Sequence, residues 1–256
     1  MAEHKEIRLE KKDGVAWITL DNPPVNVLTI KNMGEMCQAL ESAKADPEVK
    51  VAVITNAGDR AFSTGISIKE HAPGSMVKML EALKALEATI HRLDKPCIVA
   101  VNGYCLGGAL ELVLAADMAI ASEKSTFGQP EIKVGQMAIS AVAAMPPVIG
   151  RARTMELVLG GDRISARQVE AWGLINKVVP ADKFQEEVES FVKRFTVNSG
   201  ILLSLTRKAI HLAYGRSAEE AQRETDRIYQ EIRQTEDYVE GIEAFRTKRP
   251  PQWKNR

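Results

Sequence analysis

Cys97-Ile98-Val99-Ala100-Val101-Asn102-Gly103-Tyr104-Cys105-Leu106-Gly107-Gly108-Ala109-Leu110-Glu111 is the stretch on which the fold turns. Its first five residues form an unbroken apolar run, the pattern of a buried strand, and Leu110 with Leu112, Val113 and Leu114 begins a helix. Gly107 and Gly108 lie between them and allow a bare-backbone turn. A strand that passes through such a turn into a helix leaves free amide N–H groups at the positive end of the helix dipole, here beside the carboxyl group of Glu111. That combination suits holding a transient oxyanion while an acid or base moves a proton. A tight connection is the plainer use of the same glycines, and an acid in a first helical turn also favours the dipole by itself. The apolar neighbours of Glu111 point it inward.

Outward from this stretch the same plan recurs. The apolar strand Val51-Ala52-Val53-Ile54-Thr55 precedes a loop containing Ala61-Phe62-Ser63-Thr64-Gly65-Ile66-Ser67. Two such strand-end loops in neighbouring units present one backbone N–H each to the same ligand oxygen, from Thr64 and from Gly108. Twenty residues past Glu111 stands Glu131 in Phe127-Gly128-Gln129-Pro130-Glu131, a second carboxyl group that also reads as a solvated loop acid. No Gly-Lys-Ser/Thr follows Gly108 and the glycines do not form Gly-x-Gly-x-x-Gly, so nucleotide hydrolysis and dinucleotide binding lose their main support.

The remaining pattern is α/β. Ile7 to Glu10 and Val15 to Leu20 alternate around Lys12-Asp13-Gly14 as a β-hairpin, and Thr29 caps a helix through Ile30, Met33, Met36, Cys37 and Leu40. Met76, Leu80, Leu83, Leu86, Ile90 and Leu93 form one helical stripe. Arg153 to Gly160 reads as a helix, Ser165-Ala166-Arg167-Gln168 as a capping box, and Leu174 to Val179 as a strand. Beyond Ala181 nearly everything is helical, with Ser217 opening one long helix that runs toward Lys248. These features predict an α/β core over 1–195 and a helical region over 196–256 that is a candidate for packing on another subunit. The chain has 34 basic and 34 acidic residues and zero formal charge, so no overall attraction to nucleic acid or an anionic membrane is expected. Three scattered cysteines, no metal spacing and no secretory or membrane-spanning stretch point to a cytoplasmic protein without a metal.

Taken together, the segments Phe62 to Glu70, Val101 to Glu111 and Phe127 to Glu131 resemble the crotonase, or enoyl-CoA hydratase/isomerase, superfamily over nearly the whole chain. The resemblance implies a crotonase-type spiral of ββα units, a homotrimer or homohexamer, and an acyl-CoA substrate with no further cofactor. It implies that Thr64 and Gly108 supply the N–H pair and that Glu111 and Glu131 are the acids of a hydratase, one to deprotonate water and one to deliver a proton. It places CoA along Pro24, Val25, Gly65, Ile66, Ser67 and Ile68, with Phe245 and Lys248 reaching it from the C-terminal end. Phe245 as core and Lys248 as a solvated charge are the plainer readings of those two.

Departures from the common pattern bear on the acyl group. Where hydratases of straight-chain substrates carry a small glycine-rich stretch, this chain has Gly135-Gln136-Met137-Ala138-Ile139, and His71 stands where the acyl group is covered, as a polar pocket residue or a loop histidine. With Ser67 in place of an acid and the ending Pro251 to Arg256, the set is most similar to the cyclohexa-1,5-diene-1-carbonyl-CoA hydratases. Met137, Ile139 and His71 are then the acyl-pocket residues. The alternatives are a straight-chain enoyl-CoA hydratase and a non-catalytic crotonase-fold RNA-binding or scaffold protein.

Overall fold

Runs of apolar residues without alternation become strands covered on both faces, and here they build the centre of the molecule. The computed structural model describes residues 5–256. The chain opens with the hairpin β1 (Ile7–Lys12) and β2 (Val15–Leu20), turned by Asp13 and Gly14 at φ 52° and 77°, the left-handed pair that a two-residue hairpin requires. Helix α1 (Ile30–Ala45) starts in a capping box in which Thr29 and Asn32 each accept the other's backbone N–H. Three repeats follow: β3 (Val51–Asn56), β4 (Ala61–Ser63) and α2 (Met76–Arg92); then β5 (Cys97–Val101), β6 (Tyr104–Leu106) and α3 (Gly108–Ala115); then β7 (Met118–Ser122), β8 (Thr126–Gly128) and α4 (Ile139–Ala144). After them come α5 (Pro146–Ile149), α6 (Arg151–Gly160), β9 (Arg163–Ser165), α7 (Ala166–Ala171), β10 (Lys177–Val179) and the helices α8 (Phe184–Thr196), α9 (Gly200–Ala213), α10 (Ala218–Ile232) and α11 (Glu236–Arg246).

Each repeat gives its first strand to one sheet and its second to another. The large sheet has the order β1-β2-β3-β5-β7-β10, parallel from β2 onward, and the small one β4-β6-β8-β9. Side chains alternate between two cores. Val51, Val53, Ile98 and Ala100 face α8, packing with Phe184, Val188 and Phe191, while Ala52, Ile54, Val99 and Val101 face α1, α2 and α3. The expected ββα spiral is therefore the observed one.

Local differences have local causes. Gly58 to Gly65 and Gly103 to Gly108 are not bare loops, because β4, β6 and β8 pair there as strands of three residues each, too short to show a period of two. The strand predicted from Leu174 shrinks to Lys177–Val179. The long helix from Ser217 is two, since Thr235 N-caps α11 and the tail folds back so that Arg256 O accepts from Glu236 and Asp237 N–H. Among the described residues no helix is long and apolar enough to cross a membrane.

Candidate active site

Glu111 enters the core because its helix does. Seven of the eight residues of α3 are buried, and Glu111, in the first turn, is 4% exposed. Its Oε1 accepts N–H bonds from Ser140 (2.9 Å) and Ala141 (3.1 Å) at the start of α4. Burial pushes its carboxyl up to about 7, and the nearby Glu87 and Glu131 push the same way, against the two N–H donors.

Glu131 arrives from the other side, on the 3-10 turn Pro130–Val134 that follows β8. Gln129, fully buried, sets its side-chain amide against both Glu131 oxygens and the Gly107 carbonyl, three acceptors; oriented with its nitrogen toward them it donates to each, at 3.2, 3.1 and 3.3 Å. Burial raises the Glu131 proton affinity, and His71, across the pocket, opposes the rise. Gly107 makes room: at φ 58° and ψ −131° it adopts a backbone that L residues avoid, and a β-carbon there would lie 2.7 Å from Glu131 Oε1. A β-carbon on Gly108 would lie 3.8 Å from Glu111 Oε2. The two carboxyl groups thus flank one glycine turn.

The donor pair differs from the expected one. Thr64 N–H donates to the Val25 carbonyl (3.2 Å) and is not available to a ligand. Leu28 N–H donates to Gly65 O (2.9 Å) and Ser67 N–H to Leu28 O (2.8 Å), a parallel bridge between Leu28 and Ile66. Peptide alternation then turns the N–H of Ile66 away from Leu28. On that side lie the glycines of α3: a β-carbon on Gly65 would stand 3.5 Å from Gly108 N, and one on Gly108 would stand 2.9 Å from Ile66 Cγ1. Among the described residues neither Ile66 N–H nor Gly108 N–H has a hydrogen-bond partner. The free N–H is that of Ile66 and not that of Thr64, because pairing with Leu28, and not loop position, sets which N–H is free.

A cavity of about 240 Å³ opens at these groups, lined by Ile66, Gly108, Glu111 and Glu131, by Met76, Leu80 and Leu83 of α2, and by Ile68, His71, Met137 and Ile139 at its rim. His71 is held by its Nδ1 against the Ser67 carbonyl (3.0 Å), and Glu70 accepts the Ile30 N–H at the start of α1 (3.2 Å). Thr64 and Gly65 also line the cavity. Val25 adjoins it through the carbonyl that accepts from Thr64 N–H, whereas Pro24, Ser67, Lys248 and Phe245, the last 88% exposed, do not line it.

The enoyl-CoA hydratase/isomerase family profile matches residues 10–256. The chain belongs to that family. It is 34% identical to a carnitinyl-CoA dehydratase of Salmonella typhi, covering 98% of this chain and 99% of the relative. It is 33% identical to a probable mitochondrial enoyl-CoA hydratase of Dictyostelium discoideum, over 96% and 90%. A crystal structure of an enoyl-CoA hydratase from Bacillus anthracis superposes with a TM-score of 0.95 at 27% identity, covering 98% of this chain and all of that one.

Within this member of the family, sequence reasoning missed Gln129, which read only as part of a turn, and Glu87, which it did not single out. It read Met76, Leu80 and Leu83 as part of one helical stripe and not as pocket wall. Helical spacing marks a buried face and says nothing of whether protein or ligand covers it.

Proposed function

We propose that the chain is a hydro-lyase that adds water to the conjugated double bond of an acyl-CoA thioester. The observation that carries this reading is the pair of carboxyl groups, Glu111 buried and Glu131 half-buried, both with raised proton affinity, on either side of the Gly107-Gly108 turn. The thioester oxygen accepts from Ile66 N–H and Gly108 N–H, which draws charge from the double bond; losing one such donor costs about 3 kcal/mol of transition-state stabilisation. Glu111 takes a proton from water as the water oxygen bonds to the β carbon, and the enolate charge rests on the held oxygen. Glu131 delivers the second proton to carbon. These proton transfers call for no metal or redox cofactor, the CoA being part of the substrate.

For the acyl group we infer cyclohexa-1,5-diene-1-carbonyl-CoA, hydrated to 6-hydroxycyclohex-1-ene-1-carbonyl-CoA. In that case the dienolate takes its proton at the vinylogous γ carbon while the remaining double bond moves into conjugation. The wall of Ile66, Met76, Leu80, Leu83, Met137 and Ile139 supports a neutral, compact acyl group. No Phe, Tyr or Trp is among the lining residues, so a quaternary ammonium such as that of a carnitinyl group would lack the aromatic cage that suits it. We take 196–256 as the oligomerisation region of a cytoplasmic trimer or hexamer, supported by exposed Ile210, Val239 and Ile242 on its helices and Tyr214 at the end of α9.

The test is kcat/KM of the purified protein on the cyclic dienoyl-CoA, crotonyl-CoA and carnitinyl-CoA. The highest value is expected on the cyclic thioester. A higher value on crotonyl-CoA makes it a straight-chain hydratase, and no turnover of any thioester removes the hydratase reading.

A further inference from the structure

Helix α2 carries a carboxyl group where its pattern calls for an apolar residue. Leu83, Leu86 and Ile90 are buried on the face toward α3, and Glu87, one turn beyond Leu83 and half-buried, shares that face. Its Oε1 is closed off from solvent and has no hydrogen-bond partner. A buried carboxyl oxygen left unpaired is costly to a fold, and packing gives no reason for it, since leucine continues the stripe as well.

The surroundings supply a reason. Glu87 faces the hydroxyl of Ser140, and the backbone N–H of the same Ser140 donates to Glu111 Oε1 at 2.9 Å. Glu87 is not among the residues that line the acyl cavity, so it stands behind the wall and does not touch substrate. One residue therefore joins two carboxyl groups from different helices. Around this pair, Glu131 faces Glu111 from the 3-10 turn, Lys84 of α2 faces Glu87, and His71 faces Glu131.

We propose that Glu87 is a positioning residue of this site: acting through Ser140, it holds the carboxyl of Glu111 in place and opposes its loss of a proton. Two carboxyl groups that share one residue in a site screened from water do not both ionise readily, and while Glu87 is charged Glu111 keeps its proton to higher pH. Burial and the charge of Glu87 both act on Glu111 in this direction. A base whose proton affinity sits near the working pH is the one best matched to taking a proton from water and giving it back. The role rests on the hydratase reading, in which Glu111 is that base.

The test uses Glu87→Gln, which keeps shape and removes charge, and Glu87→Leu, which completes the apolar stripe. Two readouts are taken on the full chain: the acid limb of kcat/KM against pH, and the titration of the Glu111 carboxyl by carbon NMR, with Glu111→Gln assigning its signal. In both variants the Glu111 midpoint is expected to fall by about one pH unit and the acid limb to follow it, with KM for the thioester unchanged. An unmoved midpoint and limb in Glu87→Gln overturn the proposal, whatever happens to kcat, because a purely structural role predicts that result. If the midpoint moves but the unaltered protein hydrates no thioester, the hydratase reading fails and the coupling of the two acids stands.

Discussion

Glu131 Oε1 lies 2.7 Å from where a β-carbon on Gly107 would stand, so the second acid occupies the space that only a glycine leaves open. Two constraints meet at this residue, the backbone at φ 58° and the carboxyl group beside it. Gly107→Ala is therefore expected to lower kcat by about 100-fold or more while the protein stays folded by circular dichroism, since a displacement near 1 Å at a reacting group is enough for that loss. Normal kcat in the variant would show that Glu131 tolerates displacement.

Replacing either acid separates chemistry from binding. Glu131→Gln and Glu111→Gln each keep volume and are expected to lower turnover by ~10²- to 10⁴-fold, with affinity for the CoA thioester nearly intact, because the N–H pair and the pocket wall are untouched. Equilibrium binding of a product thioester beside steady-state rates checks this. Unchanged turnover in either variant removes that residue from the mechanism.

The same burial has a consequence for folding. The carboxyl of Glu111 is raised from an ordinary value of 4.5 to about 7, so between those values the folded chain holds a proton that the unfolded chain has lost. Stability from this group is fully present below pH 4.5 and is lost as pH rises through about 7, a contribution on the order of 3 kcal/mol. Glu111→Gln should accordingly be more stable than the unaltered chain in urea at pH 8 and differ little at pH 4.5, whereas equal stability at pH 8 would contradict the raised value.

Away from the site, Arg207 of α9 is 9% exposed, pairs with Asp117 Oδ2 at 2.7 Å, and donates to the carbonyls of Ile90, His91 and Leu93 at the end of α2. Asp117 also accepts from Cys97 N–H of β5 and contacts His211. Arg207→Ala removes at once the guanidinium that pairs with Asp117 and the donors to three carbonyls. A loss of about 3–5 kcal/mol in denaturant unfolding is expected, while Lys208→Ala on the exposed side of the same helix should cost under about 1 kcal/mol.

Several features with a local cause were legible in the residues alone. The Thr29 and Ser217 caps, the hairpin at Asp13-Gly14 and the buried strands at Val51 and Cys97 follow from side chains a few positions apart, and each appears in the structure. Glu111 was legible as an inward acid because Leu110, Leu112 and Val113 surround it in sequence. Contacts between distant segments were not legible. The three-residue strands of the small sheet exist only because the spiral stacks them, and Glu87 and Gln129 gain meaning only from Ser140 and Glu131, which other elements bring to them. The donor at Ile66 in place of Thr64 is the clearest case: an N–H is free or spent according to the strand opposite, and Leu28 and Val25, nearly forty residues earlier in the chain, decide which. Hydrogen-bond direction is a property of pairing, and pairing is decided by the packed chain.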